Sequence, residues 1–193
     1  MNRLFEFLRA RLREYILGPT VEPLVSPLWG RGKEDITPAE YGDYIRTSNG
    51  VYTCALLRAN NISSLPIRLY RGEGDDKTEV TNGPLRDLLS RVNPFWTSNS
   101  LIHMTELSLC LWGEAHWFLD RGGGQRTPPK EIWWAKPTSV RVLADPEQYV
   151  KGFVLQTAMG QSITFSRDEV IWFRYPNPLD EFVGLSPIAA LRA

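Results

Sequence analysis

The residues of this sequence that could do chemistry are few, and their spacing assigns most of them to structure. A nucleophilic hydrolase needs a serine or cysteine in reach of a base, on a turn sharp enough to expose it. Gly184-Leu185-Ser186-Pro187-Ile188 has the outline of such a turn but lacks the second glycine, and a serine directly before Pro187 reads as a helix cap. Cys54 and Cys110 sit in apolar helical patterns without C-x-x-C spacing, which favours reduced core thiols over a disulfide or zinc site and, with them, a reducing, cytoplasmic setting. The two histidines, His103 and His116, belong to no H-x-x-x-H or H-E-x-x-H pattern, so surface or half-buried structural positions are expected for both. Gly122-Gly123-Gly124 runs into Gln125-Arg126-Thr127-Pro128-Pro129 instead of the Lys-Ser/Thr that opens the helix of a phosphate loop, so a hairpin turn is expected. Asp75-Asp76, Asp168-Glu169 and Asp180-Glu181 fall in turns, with no base or metal ligand beside them. No catalytic, metal-binding or cofactor-binding set emerges, and the expectation is a protein that is not an enzyme and carries no cofactor.

One cluster points to binding. Arg3, Arg9, Arg11 and Arg13 lie within 1–17, where Leu4, Phe5, Leu8, Leu12, Tyr15 and Ile16 recur at three-to-four spacing and predict an amphipathic helix. Glu6 and Glu14 dilute its charge, so the pattern suits contact with DNA phosphates, with an acidic protein surface or with an anionic membrane, or a plainly solvated face, and does not separate them. The whole chain of 193 residues carries 22 Lys and Arg against 22 Asp and Glu, a net charge of zero that argues against a general polyanion binder. The zero divides into +3 over 1–33 and −3 over the remainder. Arginines scattered through the apolar residues of 1–17 do not make a secretory signal, and no apolar run approaches the ~18 residues that span a bilayer.

The elements that must position these residues follow from periodicity. After Gly18-Pro19 the stretch to Pro38 has prolines and glycines and no period, which makes 1–38 an N-terminal helix and an extended arm. Val51, Cys54, Ala55, Arg58, Ile62 and Leu65 predict a helix face closed at Leu65-Pro66, followed by a strand over 67–71. A short helix is predicted over 84–91. A long one is predicted from Thr97 or Ser98 to Trp112, stopped by Gly113 and so apolar that only Asn99, His103 and Glu106 are left for water. The period then drops to two: Ala115, Trp117 and Leu119 face one way and His116, Phe118 and Asp120 the other. Further strands are predicted over 131–135, 139–144, 149–156, 162–165 and 170–174. Closely spaced strands without intervening helices predict an α+β domain over 39–185, with three helices packed on a mainly antiparallel sheet or partial barrel. Residues 186–193 read as the start of a helix.

The order of these segments resembles that of the tailed-bacteriophage portal protein family. The stretch from Val51 to Arg71 has the family's helix, Ser64-Leu65-Pro66 step and strand. Pro84-Leu85-Arg86-Asp87-Leu88-Leu89, Asn93-Pro94, Thr97-Ser98, Leu111-Trp112-Gly113-Glu114-Ala115, Asp168-Glu169-Val170-Ile171-Trp172-Phe173-Arg174 and Gly184-Leu185-Ser186-Pro187-Ile188 follow in register. Trp172 stands where many relatives carry a histidine. The resemblance implies a structural subunit of a homo-oligomeric ring, usually of twelve copies, at the capsid vertex of the virion, assembled in the host cytoplasm, through which double-stranded DNA is packaged and ejected. The implied partners are other portal subunits, the major capsid protein, terminase and head-completion proteins. The matched stretch corresponds to the family's outer, wing-like part, and the stem, clip and tunnel loop that follow in relatives have no counterpart in 1–193. An adaptor that docks on protein or an anionic membrane through its basic N-terminal helix is the alternative reading.

Overall fold

The computed structural model describes residues 38–122, 127–157 and 160–192. The N-terminal helix predicted over 1–17 and the arm that follows it lie outside these residues. Four α-helices come first: α1 (Pro38–Thr47), α2 (Asn49–Ser63), α3 (Pro84–Ser90) and α4 (Ser98–Trp112). Between α2 and α3 two-residue strands β1 (Tyr70–Arg71) and β2 (Thr78–Glu79) form a small ladder. The rest is β: β3 (Glu114–Asp120), β4 (Glu131–Ala135), β5 (Val140–Asp145), β6 (Tyr149–Gln156), β7 (Ser162–Ser166) and β8 (Val170–Arg174), then a 3-10 helix at Pro187–Arg192.

α1 is the helix that periodicity missed. Its start carries the signature Thr37-Pro38-Ala39-Glu40, a Thr three residues before a Glu with Pro in the first turn. Ser48 separates it from α2 and caps the latter, its side chain accepting from the Val51 N–H at 3.4 Å. α4 keeps its predicted bounds. Thr97 caps it by accepting from Ser100 N–H, and Gly113 ends it in the left-handed region at φ 75°. The strand predicted over 67–71 shrinks to β1, because its side chains lie on no core and a two-stranded ribbon has little to hold it.

All strand pairing among the described residues is antiparallel: besides the β1–β2 ladder there are two three-stranded sheets, ordered β4-β3-β8 and β5-β6-β7. β3 is the centre of the molecule. The predicted alternation holds, but both of its faces are covered. Leu119 packs with Leu88, Val92, Leu101 and Ile132 beneath the helices, while Phe118 packs with Phe153, Ile163 and Phe165 of the second sheet. The order is therefore helices, sheet, sheet, with two cores sharing β3. Phe118 and Phe165 meet edge to face at 4.4 Å between centroids, which closes one sheet on the other.

The tryptophans of the central sheet bring their N–H groups into the helix layer. Trp117 Nε1 donates to Thr105 Oγ1 at 2.7 Å and Trp134 Nε1 to Ser108 Oγ at 3.0 Å. Each hydroxyl passes its own proton to the carbonyl one turn back on α4, at Leu101 and Met104. These relays explain why a helix so apolar keeps a buried Thr and a buried Ser: without them two indole N–H groups would be buried unpaired.

Candidate functional site

Most of the sequence's candidate chemical groups are absorbed by the fold. Ser186 is buried; its Oγ donates to Leu111 O at 2.5 Å and accepts from Ile188 N–H, so it caps the 3-10 helix and ties it to the end of α4, as expected. The glycine turn joins β3 to β4 in the register Asp120↔Glu131, as a hairpin does, with Gly123 and Gly124 outside the described residues. Asp168 is exposed, whereas Glu169 is buried and closes a capping box, its Oε2 accepting from the Ser166 N–H and Oγ at 2.9 Å each. Arg3, Arg9, Arg11 and Arg13 lie outside the described residues. Among the described residues no three His, Cys, Asp or Glu side chains gather as a metal site, and no helix is long and apolar enough to cross a membrane.

Three positions depart from expectation. His116 is neither at the surface nor half-buried: it is 1% exposed, and neither ring nitrogen has a hydrogen-bond partner. It stacks on Trp172 at 6.2 Å and meets the edge of Phe153, and burial pulls its pKa down to about 3, so the ring is neutral. Glu106 does not face water, because α2 crosses that side of α4. Its carboxylate is buried and pairs with the Arg58 guanidinium, whose Nη2 also donates to Tyr175 Oη at 2.5 Å. Cys54 is exposed, not core, since the buried residues of α2 are Ala55 and Ala59 and its predicted face is rotated.

The segment after β8 is held by a backbone crossing. A Cβ on Gly113 would stand 2.2 Å from Leu185 O, and one on Gly184 would stand 2.2 Å from Gly113 O. Glycine at both positions lets the two chains touch. Glu114 fastens the crossing: its Oε2 accepts from Gly184 N–H and Trp172 Nε1, each at 3.3 Å. Burial pushes its carboxyl up to about 7, against the opposing pull of those two donors. Further along the segment Arg174 lies 4.2 Å over the Trp172 ring and donates to Glu181 O, while the Tyr149 and Phe182 rings meet tilted at 5.1 Å.

Two surface features stand out among the described residues. Between α2, the end of α4 and the 3-10 helix lies a groove of about 280 Å³ lined by Val51, Cys54, Arg58, Cys110 and Ile188 among others. Along α2 and the chain beyond it Tyr52, Leu57, Ile62, Leu65, Ile67 and Tyr70 are all exposed, Leu57 and Leu65 to 64% each. Single exposed apolar residues are ordinary on a protein surface; here six fall within nineteen positions of chain, with Tyr52, Leu57 and Ile62, each five residues apart, pointing to different sides of α2. Leu179 is more exposed still, at 81%, on the segment beyond β8.

The family model described as phage portal protein matches residues 50–193, from the first turn of α2 onward. The chain belongs to the phage portal protein family. Among solved structures it is similar to a chain of the neck of an empty GTA particle computed with C6 symmetry, with a TM-score of 0.68 and 19% identity over 87% of this chain. It is similar too to a chain of the virion of a native gene transfer agent particle, with a TM-score of 0.66 and 17% identity over 94% of this chain. A chain of the native particle's neck computed with C12 symmetry follows, at 0.63 and 19% identity over 86%. At these identities the likeness is one of fold. This portal-family chain spans a little under half of the chains it matches, 46%, 45% and 42% of their lengths. No curated protein matches its sequence.

Sequence reasoning missed the stretch on α2 because helical periodicity reads Ile62 and Leu65 as core, and only the position of α2 against α4 shows which stripe is covered.

Proposed function

We propose that the chain is the N-terminal and wing-like portion of a portal subunit, a structural part of the ring at a capsid vertex through which double-stranded DNA is packaged and ejected. The observation that carries this reading is the family match over 50–193, together with the exposed apolar stretch from Tyr52 to Tyr70. That stretch meets a neighbouring subunit in the ring, and heterologous contacts of this kind close when the rotation between copies divides a full turn. In this reading the complete subunit forms a ring of twelve in the virion after assembly in the host cytoplasm. It contacts the major capsid protein, and terminase and head-completion proteins dock on the stem and clip that follow the wing in relatives. Arg3, Arg9, Arg11 and Arg13 contact DNA or a partner protein. The division into an arm over 1–38, a wing over 39–185 and a helix start over 186–193 belongs to the same proposal. No observation favours the adaptor reading.

The test is assembly. The complete subunit, carrying stem and clip beyond residue 193, is expected to run as a ring in light scattering and to show rings in negative-stain images. A monomer by both measurements overturns the reading. Residues 1–193 alone are expected to be a monomer or weak oligomer.

A further inference from the structure

Two thiols that the assembly role does not use share the groove beside the 3-10 helix. Cys54 is exposed on α2, Cys110 is half-buried on α4, and both line the same cavity of about 280 Å³. Their alignment follows from the helices. Cys110, near the end of α4, shares the groove with Gly50 and Val51 at the start of α2, so the two helices run antiparallel. The Arg58–Glu106 ion pair sets the register between them. Cys54 is one turn before Arg58 and Cys110 one turn after Glu106, which in an antiparallel pair puts the two cysteines at the same level along the groove they both line. The buried residues of α2 are Ala55 and Ala59, small side chains that let two helices pack closely.

We propose that Cys54 and Cys110 form a dithiol that a peroxide closes to an intramolecular disulfide, fixing α2 to the end of α4. The exposed Cys54 sulfur attacks hydrogen peroxide; the O–O bond breaks, one water leaves and a sulfenic acid remains on Cys54. The Cys110 sulfur then attacks the Cys54 sulfur, and the S–O bond breaks as the S–S bond forms. Glu106 Oε1, 3.8 Å from Cys110 Sγ, takes the thiol proton and returns it to the departing hydroxide as a second water. In all, two thiols lose two hydrogens and one hydrogen peroxide is reduced to two waters. Burial and the neighbouring Glu106 raise the Cys110 thiol, which suits the resolving partner: it stays protonated until the sulfenic acid arrives. The groove supplies the room the sulfenic oxygen needs before it leaves.

The experiment uses the reduced chain, exposed to a small excess of hydrogen peroxide, then denatured and alkylated for mass spectrometry. The expected product is a monomer lighter by two hydrogens at its cysteines, carrying no alkyl group there, with a Cys54–Cys110 cross-linked peptide that dithiothreitol releases. C110S is expected to stop at Cys54 oxidised to sulfinic acid. In the wild-type chain, Cys54 sulfinic acid with Cys110 still alkylated, a Cys54–Cys54 link between two chains, or both thiols alkylated each overturns the proposal.

Discussion

Glu114 and His116 sit two positions apart on β3, and their titrations oppose each other. Glu114 has its carboxyl raised to about 7, so between the ordinary carboxylate value near 4.5 and 7 the folded chain holds a proton that the unfolded chain has lost. Stability from this group therefore falls as pH rises through that window. His116 has its ring lowered to about 3, so between 3 and 6.5 the unfolded chain holds a proton that the folded chain lacks, and stability from this group rises with pH. From about pH 4.5 to 6.5 the two slopes, each about 1.4 kcal/mol per pH unit at most, cancel. Single variants separate them. In urea titrations across this range E114Q is expected to gain stability with rising pH and H116F to lose it, while the parent stays nearly flat. Parallel profiles for all three proteins would show that neither group titrates as its surroundings require. H116F also removes two unpaired buried nitrogens and is expected to be more stable than the parent by about 1 kcal/mol at pH 5, where the neutral buried ring still costs the parent stability. Neither environment was legible in sequence. A histidine in an alternating strand reads as half-exposed unless one knows that a second sheet covers that face.

At the scale of elements, the strands and the long helix α4 were legible because each has a period and a stop of its own: Thr97 and Gly113 bound α4, and the predicted strands 131–135, 149–156 and 170–174 keep their ends. What periodicity does not contain is contact between elements distant in sequence. The crossing of Gly113 and Gly184 is such a contact, and it joins the end of α4 to the segment that leads into the 3-10 helix. G184A puts a methyl group 2.2 Å from Gly113 O, where backbone and not a flexible side chain must give way. The expected loss is roughly 3 kcal/mol in denaturant unfolding, with early hydrogen exchange at Gly184 and Tyr175, whose N–H groups bond to Glu114 and to Gly113 O. A loss within about 0.5 kcal/mol would mean that the segment is not fastened there.

For the molecule as a whole, the exposed apolar residues between Tyr52 and Tyr70 are where the proposed assembly is tested. L57K with L65K changes two side chains that are each 64% exposed, so the fold is expected to keep its stability to about 0.5 kcal/mol. The complete subunit carrying both changes is expected to lose its rings in light scattering and negative stain, since two buried charges would oppose the contact. Rings of normal yield from that double variant would remove α2 from the subunit interface.

Sequence alone fixes α2 to α4, the strands from β3 to β8, the caps of α4 and, through their order, the portal family, and it misses α1, β2 and the shortness of β1. Those properties are local: a 3.6 or 2.0 period, a Thr before a helix and a Gly after it act within a few residues. Packing between distant elements decides that β3 is covered on both faces, that Glu106 lies under Arg58, that Cys54 and Cys110 share a groove, and that Leu57 faces outward. Each of these depends on which element lies against which, and burial is a property of the pair of surfaces that meet, which neither element's own sequence contains.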